Sequence, residues 1–291
     1  MNKEKNKTLS RILKIAACAA GLVVVFILGV GVSKIFYGQT DPDTVQESEM
    51  PLQTPAPALT QEEQEELYRS MKETAAQTET AAPEDPDNST TEGSGNVSAI
   101  DFEYLWTVNK DIYAWITIPG TNIDYPILQH PTDDAFYLNH NLDGSYGFPG
   151  CIYTESLNDK DFSDPNTVIY GHDLKAKTMF TELHKFEEKD FFDKYNEVLI
   201  YLPDRTLHYR VFAAHVYDDR HLMYSFDFDN EDIFAGFLED IYDIRDMSAN
   251  IDREMTVTAQ DKIITMSTCM PKKEDAEKRL LVHAVLVSED R

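Results

Sequence analysis

Three residues at the ends of apolar runs could together carry out thiol chemistry. Cys269 lies near the end of Lys262–Met270, which begins as a strand because it is rich in β-branched Ile and Thr. His172 directly follows a second apolar run, and Arg279 opens a third. Catalytic groups tend to lie where a buried strand turns into a polar loop. Cys269, His172 and Arg279 are therefore the candidate catalytic residues.

The chemistry these side chains could perform is nucleophilic attack by sulfur. The nucleophile is a thiolate, and a free thiol with a pKa of about 8.5 is only a few per cent ionised at pH 7. A nearby imidazolium or guanidinium would lower that pKa, and His172 and Arg279 supply these groups. Arg279 could also hold a developing oxyanion through charge-assisted hydrogen bonds.

Each candidate has a simpler interpretation. Cys269 could be a buried structural cysteine, although the neighbouring Ser and Thr residues and the Pro-Lys-Lys loop weaken that interpretation. His172 is one of eight histidines; its natural competitor, His283, lies within a strand and is more typical of a core or sheet-face histidine. Arg279 could be one more solvated residue in the charged run Lys272–Arg279.

Composition excludes several other classes of function. Acidic residues outnumber basic ones 52 to 26, for a net charge of −26, which argues against nucleic acid as a partner. The three cysteines, Cys18, Cys151 and Cys269, are too few for a disulfide framework, and we do not expect a Cys151–Cys269 bridge. No metal-ligand spacing and no phosphate-binding glycine loop is found, so we expect neither metal nor cofactor.

The N-terminal region is typical of a membrane anchor. Residues 1–14 are basic and predict a cytoplasmic tail, and residues 15–33 carry no charge and are long enough to approach the ~30 Å hydrocarbon core. The positive-inside rule then places the rest of the chain outside the cell. A cleaved signal peptide is the alternative, but the apolar run exceeds the usual length of about 7–15 residues and no clear cleavage site follows. We expect an uncleaved transmembrane signal-anchor.

Residues 34–98 have the composition of an acidic disordered linker. Aromatic residues are nearly absent after residue 38, so the segment buries too little apolar surface to offset its ordering entropy. Within it, Gln61–Ala75 could form a short helix with Thr60 as its N-cap and Glu63 three residues later.

Residues 99–291 are long enough for one sizeable domain. Helices are expected at Asp101–Asn109, within about 179–195 and within about 231–245. Turn signals separate eight short strands, a pattern that indicates a β-barrel or a sandwich. The expected strands are Ala114–Ile118, Ile123–Ile127, Gly150–Tyr153, Thr167–Tyr170, Val198–Leu202, Leu207–Tyr217, Ile263–Ser267 and Leu280–Val287.

Three motifs resemble those of the sortase family, and most closely its class B. Thr265–Cys269, Thr-Met-Ser-Thr-Cys, is similar to the family's Thr-Leu-x-Thr-Cys, and Arg279 lies on the next strand. Asn166–His172 resembles the family's Tyr-Gly-His segment. The third motif is Ala114–Thr121 together with Ile123–Pro126 after it. The helical segment at about 231–245 resembles the class B insertion. Met in place of the usual Leu, Cys151 in place of a small residue and the long acidic spacer are departures.

The resemblance implies a fold and a function. Sortases are eight-stranded β-barrels, here expected with an N-terminal helix and helical insertions, anchored at the outer face of Gram-positive cells. It implies a thiol protease-like cysteine transpeptidase in which Cys269 attacks the carbonyl after Thr in a C-terminal sorting signal and forms a thioacyl enzyme. His172 would act as acid and base, and Arg279 would orient the substrate and stabilise the oxyanion.

The partners implied are surface proteins that carry a sorting signal, an amine of a cell-wall precursor or pilin, and the cytoplasmic membrane through the N-terminal helix. Class B signals are of the Asn-Pro-x-Thr-Asn or Ser/Pro-Pro-x-Thr-Gly kind. Two alternatives remain: an extracellular peptide-binding or scaffold domain with a structural Cys269, and a thiol hydrolase that cleaves without transfer. Acyl-enzyme trapping and amine-dependent product formation distinguish these possibilities.

Overall fold

The computed structural model describes residues 60–77 and 100–291. The expected cytoplasmic tail and signal-anchor, residues 1–14 and 15–33, lie outside the described residues. Within the described part of the chain, no helix combines the length and apolar character that crossing a membrane requires. The helices are α1 Gln61–Gln77, α2 Phe102–Val108, α3 Lys189–Lys194, α4 Leu222–Ser225 and α5 Glu231–Asp243, with 3-10 turns at Phe136–Leu138, Thr181–Glu187 and Lys273–Asp275.

The described strands are β1 Ile112–Thr117, β2 Asp124–Leu128, β3 Ile152–Tyr153, β4 Asn166–Tyr170, β5 Glu197–Tyr201, β6 Thr206–Asp218, β7 Asn250–Ile251, β8 Ile263–Cys269 and β9 Lys278–Asp290. Eight of them close into a barrel. They pair in the order β5-β1-β2-β3-β4-β8-β9-β6, and β6 pairs back to β5, so the ring has no free edge. The remaining strand, β7, pairs only with β6. The eight-stranded barrel is thus confirmed, and every expected strand is present.

Strands β8 and β9 are buried on both faces. Alternate residues such as Ile264 and Met266 join the larger apolar cluster of the barrel. The intervening residues, such as Ile263 and Leu281, join a second cluster with the apolar face of α5. This is why both strands are almost continuously apolar in sequence. Helix α5 ends at Asp243, so it confirms the expected helix at about 231–245.

Helix α1 belongs to the same compact unit as the barrel. It begins at the expected cap, where Thr60 N donates to Glu63 Oε2 at 2.8 Å. Tyr68 and Met71 are buried, and the Tyr68 ring packs edge-on against Tyr125 of β2 at 5.2 Å. The expectation of a disordered linker over residues 34–98 is therefore corrected for 60–77, because these two apolar side chains dock on the barrel. The remainder of that segment lies outside the described residues.

The expected helical insertion at about 179–195 is divided. Residues Thr181–Glu187 form a 3-10 turn, and Lys189–Lys194 form α3. Between them Glu188 adopts an extended conformation, with φ −88° and ψ 120°. Each part buries one phenylalanine, Phe186 in the 3-10 turn and Phe192 in α3.

Candidate active site

The ends of three neighbouring strands bring the candidate residues together. Strand β4 runs parallel to β8, with Tyr170 opposite Ser267, so their carboxyl ends meet at one edge of the barrel. Strand β9 runs antiparallel to β8, with Arg279 opposite Cys269. His172 lies two residues beyond the end of β4. The sequence-predicted residues, which are far apart along the chain, thus converge at one barrel edge.

Cys269 and Arg279 share one face of the sheet, and His172 lines the same cleft from the loop after β4. Residues two apart on a strand project to the same side, so Ser267 and Cys269 share a face. Arg279, opposite Cys269, projects with it. This is the face that α5 covers further along the same strands. Where that cover ends, the side chains of β8 and β9 become accessible.

A cleft of about 330 Å³, named here the Cys269 cleft, opens at this point. Its wall combines the ends of β4 and β8, the start of β9, the segment after β3 and the loop after β6. The residues that line it include Tyr153, Glu155, Tyr170, His172, His221, Thr268, Cys269 and Arg279. A larger depression of about 790 Å³ lies beside α1 and Thr178, but it contains no thiol or imidazole among its described lining residues.

Gly171 allows the strands to approach closely next to His172. A Cβ atom built there would lie 2.5 Å from Ile152 Cδ1 and 2.6 Å from Phe180 Cγ. The Gly171 backbone N–H donates to Ser267 O at 3.1 Å. A larger side chain at this position would therefore clash with the packing next to His172.

His172 is half-buried at the cleft wall. Its Nε2 lies 2.5 Å from the Leu138 carbonyl oxygen, and its ring lies 5.3 Å from the Phe148 ring. A carbonyl oxygen only accepts, so Nε2 carries a proton in this arrangement. To exchange a proton with a group at Cys269 through Nε2, the imidazole has to leave this carbonyl.

Arg279 is anchored by its own turn. Its Nη1 donates to the carbonyl oxygens of Ala276 at 2.9 Å and Lys278 at 2.8 Å. These bonds fix one side of the guanidinium plane next to β8, and the group is half-buried in the cleft wall. A fixed cation at that place can stabilise negative charge that develops beside Cys269.

The two described cysteines have different environments. Cys269 is exposed and free, whereas Cys151 is free and buried, so no Cys151–Cys269 bridge exists in the structure. Burial raises the pKa of Cys151 to about 12, despite the opposing hydrogen bond from Tyr68. Cys151 therefore remains a thiol at neutral pH and is a structural residue, which leaves Cys269 as the accessible thiol among the described residues.

His184 is a residue that the sequence reasoning missed. Its Nε2 lies 3.1 Å from the Cys269 backbone oxygen, and its Nδ1 lies 2.6 Å from Glu187 Oε2. A carbonyl and a carboxylate both accept, so both bonds require a proton on each ring nitrogen, as in the imidazolium. Burial lowers the pKa of His184, but Glu187, the Cys269 carbonyl and Asp173 together raise it above its usual value. The only sequence signal was the i,i+3 spacing of His184 and Glu187.

Glu155 and His221 form a second pair in the Cys269 cleft that the sequence reasoning did not find. His221 Nε2 lies 2.8 Å from Glu155 Oε1. Their 66-residue separation left no local signal. Among the described residues, no group of three His, Cys, Asp or Glu side chains is placed to hold a metal ion.

Comparison with known proteins identifies the family. The sortase domain family model matches residues 116–287. Sortase B of Listeria monocytogenes is 30% identical over 223 residues, which cover 77% of this chain and 88% of that protein. Sortase B of Staphylococcus aureus is 29% identical over 186 residues, 64% of this chain and 74% of that protein. A crystal structure of sortase B from Bacillus anthracis superimposes with a TM-score of 0.62 at 27% identity, covering 78% of this chain and 97% of that one.

The matched region contains all nine strands except the first four residues of β1 and the last three of β9, together with Cys269, His172 and Arg279. The chain therefore belongs to the sortase family. Its relatives in sequence and in structure are sortases B, so within the family it belongs to class B. The resemblance stated from the three sequence motifs is confirmed.

Proposed function

We propose that this chain is a membrane-anchored cysteine transpeptidase. It cleaves a C-terminal sorting signal after Thr through a thioacyl enzyme and transfers the protein to an amine of the cell wall or of a pilin. Cys269 is the nucleophile, His172 the acid and base, and Arg279 the oxyanion partner. The observation that carries the proposal is the meeting of an exposed thiol, an imidazole and a guanidinium around one cleft.

The first half-reaction forms the thioacyl enzyme. The Cys269 thiolate attacks the carbonyl carbon of Thr, and the C–S bond forms as the carbonyl oxygen becomes negative. The guanidinium of Arg279 stabilises that oxyanion by charge-assisted hydrogen bonding. When the C–N bond breaks, His172 gives a proton to the departing amine. Rotation of the imidazole away from the Leu138 carbonyl is what brings Nε2 to the leaving group.

The second half-reaction resolves the thioacyl enzyme. His172, now neutral, accepts a proton from the incoming amine as its nitrogen attacks the same carbonyl carbon. The C–S bond then breaks, and sulfur leaves as the thiolate of Cys269. Water in place of the amine gives hydrolysis, so the ratio of amide to acid products distinguishes a transpeptidase from a thiol hydrolase.

The proposed location follows from the N-terminal sequence. The basic residues 1–14 and the apolar residues 15–33 support a single membrane-spanning anchor with a cytoplasmic N-terminus. The barrel would then act outside the cell, next to the cell wall of a Gram-positive bacterium. Protease treatment of intact cells tests this topology: we expect the barrel to be degraded without lysis, and its protection would contradict the proposal.

Mass spectrometry of the full chain with sorting-signal peptides tests the chemistry. The panel contains Asn-Pro-x-Thr-Asn and Ser/Pro-Pro-x-Thr-Gly peptides, each with and without an amine acceptor. We expect a covalent adduct on Cys269, cleavage after Thr and an amide product that requires the amine. Cleavage with only acid product would indicate the hydrolase. Absence of any adduct, with a folded chain and a free Cys269 thiol, would favour the peptide-binding scaffold.

A further inference from the structure

The Cys269 cleft contains buried polar atoms that have no hydrogen-bond partner in the structure. They are Glu155 Oε2, His221 Nδ1 and the hydroxyl oxygens of Tyr170 and Thr268. Folded proteins satisfy most buried polar atoms, because each one left unpaired loses its interaction with water without compensation. Four such atoms in the wall of one reactive cleft indicate a place that a polar ligand group completes.

Glu155 contributes a carboxylate oxygen to this group. The residue is 8% exposed and lies two positions after β3. Its Oε1 lies 2.8 Å from His221 Nε2, and its Oε2 has no partner. A carboxylate oxygen accepts hydrogen bonds, so the atom that fits here is one that donates.

Tyr170 supports the same conclusion. Its ring stacks on Tyr153 with the centroids 5.3 Å apart, so the position of the hydroxyl is fixed by packing. Burial and the nearby Glu155 raise the pKa of Tyr170 well above its usual value. The hydroxyl therefore stays protonated and can both donate and accept beside the Glu155 carboxyl group.

The two arginines that line the cleft, Arg220 and Arg279, donate hydrogen bonds to groups other than Glu155. Arg220 Nε donates to both carboxylate oxygens of Asp218, at 2.8 and 2.9 Å, and Arg279 is bound to two backbone carbonyls. Neither donates to Glu155 Oε2, which has no partner among the described residues. The remaining acceptor capacity of Glu155 is thus left for a group that arrives from outside the chain.

We propose that Glu155, Tyr170 and His221 form a subsite, named here the Glu155 subsite, that binds a nitrogen hydrogen-bond donor of a substrate beside Cys269. The inference rests on the proposed transpeptidation. That reaction offers two sources of the same chemistry: an amide or ammonium side chain of the sorting peptide, or the amine that resolves the thioacyl enzyme.

Glu155→Gln tests the subsite at constant side-chain size. If the introduced amide turns its oxygen to His221, it presents an NH₂ group where the wild type presents an acceptor, so a nitrogen donor is repelled. Asp219→Asn is the matched control, because it removes a carboxylate charge at the exposed rim of the same cleft. Tyr170→Phe, which keeps the ring stacking, is the second variant should Glu155→Gln fail to fold.

Two measurements on the full chain, one rate and one product ratio, distinguish the two sources of the nitrogen donor. The first is release of the leaving peptide, which reports acylation; the second is the ratio of amide to acid product at fixed diglycine concentration, which reports capture by the amine. We expect Glu155→Gln to lower one of them by about tenfold or more, as loss of a hydrogen bond to a charged group does. Tyr170→Phe should lower the same one by about fivefold.

A fall in acylation alone, seen with peptides that carry a nitrogen side chain and absent with alanine in its place, assigns the subsite to the sorting peptide. A fall in the amide-to-acid ratio alone assigns it to the amine. Rates within about twofold of wild type for both variants, or equal losses in Asp219→Asn, overturn the inference. Those two outcomes contradict the subsite but leave the proposed transpeptidase function intact. If the wild-type chain forms no thioacyl enzyme, the proposed function itself fails.

Discussion

Strands β8 and β9 carry two polar pairs with opposite character, four residues apart on each strand. Cys269 lies opposite Arg279 at the open end, and Thr265 lies opposite His283 under α5. The inner pair is fully buried, with 3.0 Å between Thr265 Oγ1 and His283 Nδ1, and a further 3.0 Å from His283 Nε2 to His215 Nε2. The outer pair is accessible, and the cleft around it contains unpartnered polar atoms.

The difference separates structural from reactive polar groups on the same strands. Only one proton fits between the two Nε2 atoms of His283 and His215, and burial lowers the pKa of both histidines. The inner pair and His215 therefore form a chain of neutral, hydrogen-bonded side chains beneath α5. These side chains contribute to packing. The outer pair can respond to a substrate because the surrounding protein leaves hydrogen-bonding capacity unused.

The largest expected effects are those of replacing Cys269 of the outer pair and His172 beside it. Cys269→Ala should abolish adduct formation and cleavage, because no other accessible thiol exists among the described residues. His172→Ala should also abolish cleavage. Cys269 is exposed, so we expect its replacement to change the free energy of unfolding by less than about 0.5 kcal/mol. Peptide cleavage and denaturant unfolding measure the two effects, and a variant that still cleaves refutes the role given to its residue.

Arg279→Ala should slow acylation by about 10²–10³-fold if the guanidinium stabilises the oxyanion. The matched variant is Arg279→Lys, which keeps the charge but lacks the planar fork that two backbone carbonyls hold in place. We expect Lys to recover only part of the rate, measured as kcat/KM for peptide cleavage. Wild-type rates in Arg279→Ala would show that acylation of Cys269 does not need this cation.

The inner pair should affect stability and not chemistry. Thr265→Val preserves the shape of the side chain but removes the hydroxyl that joins His283 to Asn166 Oδ1 at 2.8 Å. Leaving a buried acceptor or donor unpaired costs about 1–3 kcal/mol in the free energy of unfolding. Denaturant unfolding checks the loss, and kcat/KM of the folded variant should stay near wild type. A large fall in kcat/KM without a loss of stability would contradict the purely structural role given to the inner pair.

The sequence was sufficient for the outer pair and for the barrel. Short runs of strand-forming residues and the turn signals between them located all eight barrel strands, and the position of Cys269, His172 and Arg279 at strand ends indicated one site. The assignment of His283 to the core is confirmed by its full burial. In each case the signal was local in sequence: a run of apolar or β-branched residues that ends in a polar loop.

The parts that were missed depend on long-range contacts. Glu155 meets His221 across 66 residues, and His184 meets the Cys269 carbonyl across 85. Helix α1 was identified by its cap, but its docking depends on Tyr68 and Met71 reaching the barrel, which a composition argument over residues 34–98 does not detect. The sequence around a single histidine or glutamate does not indicate which distant residue it contacts in the folded chain.

The smallest expected effect concerns His184, which links the outer pair to a neighbouring 3-10 turn. Its pKa is raised in the folded chain, so its stabilising contribution is complete below the unfolded value of about 6.5 and is lost as pH rises through the raised pKa. On losing one proton, the ring keeps the Nδ1–H bond to Glu187, and the lone pair on Nε2 then faces the Cys269 carbonyl. The hydrogen bond between His184 and the Cys269 carbonyl at the end of β8 is therefore lost as pH rises.

His184→Gln isolates this effect, because its amide donates one uncharged hydrogen bond to the Cys269 carbonyl at every pH. We expect wild type to be more stable than the variant by about 1 kcal/mol near pH 6 and by close to nothing near pH 9. The difference between the two unfolding free energies is the quantity to measure, since the pH dependence that arises from all the other titrating groups is common to both proteins. A difference that is constant with pH would show that His184 does not hold Cys269 as the imidazolium.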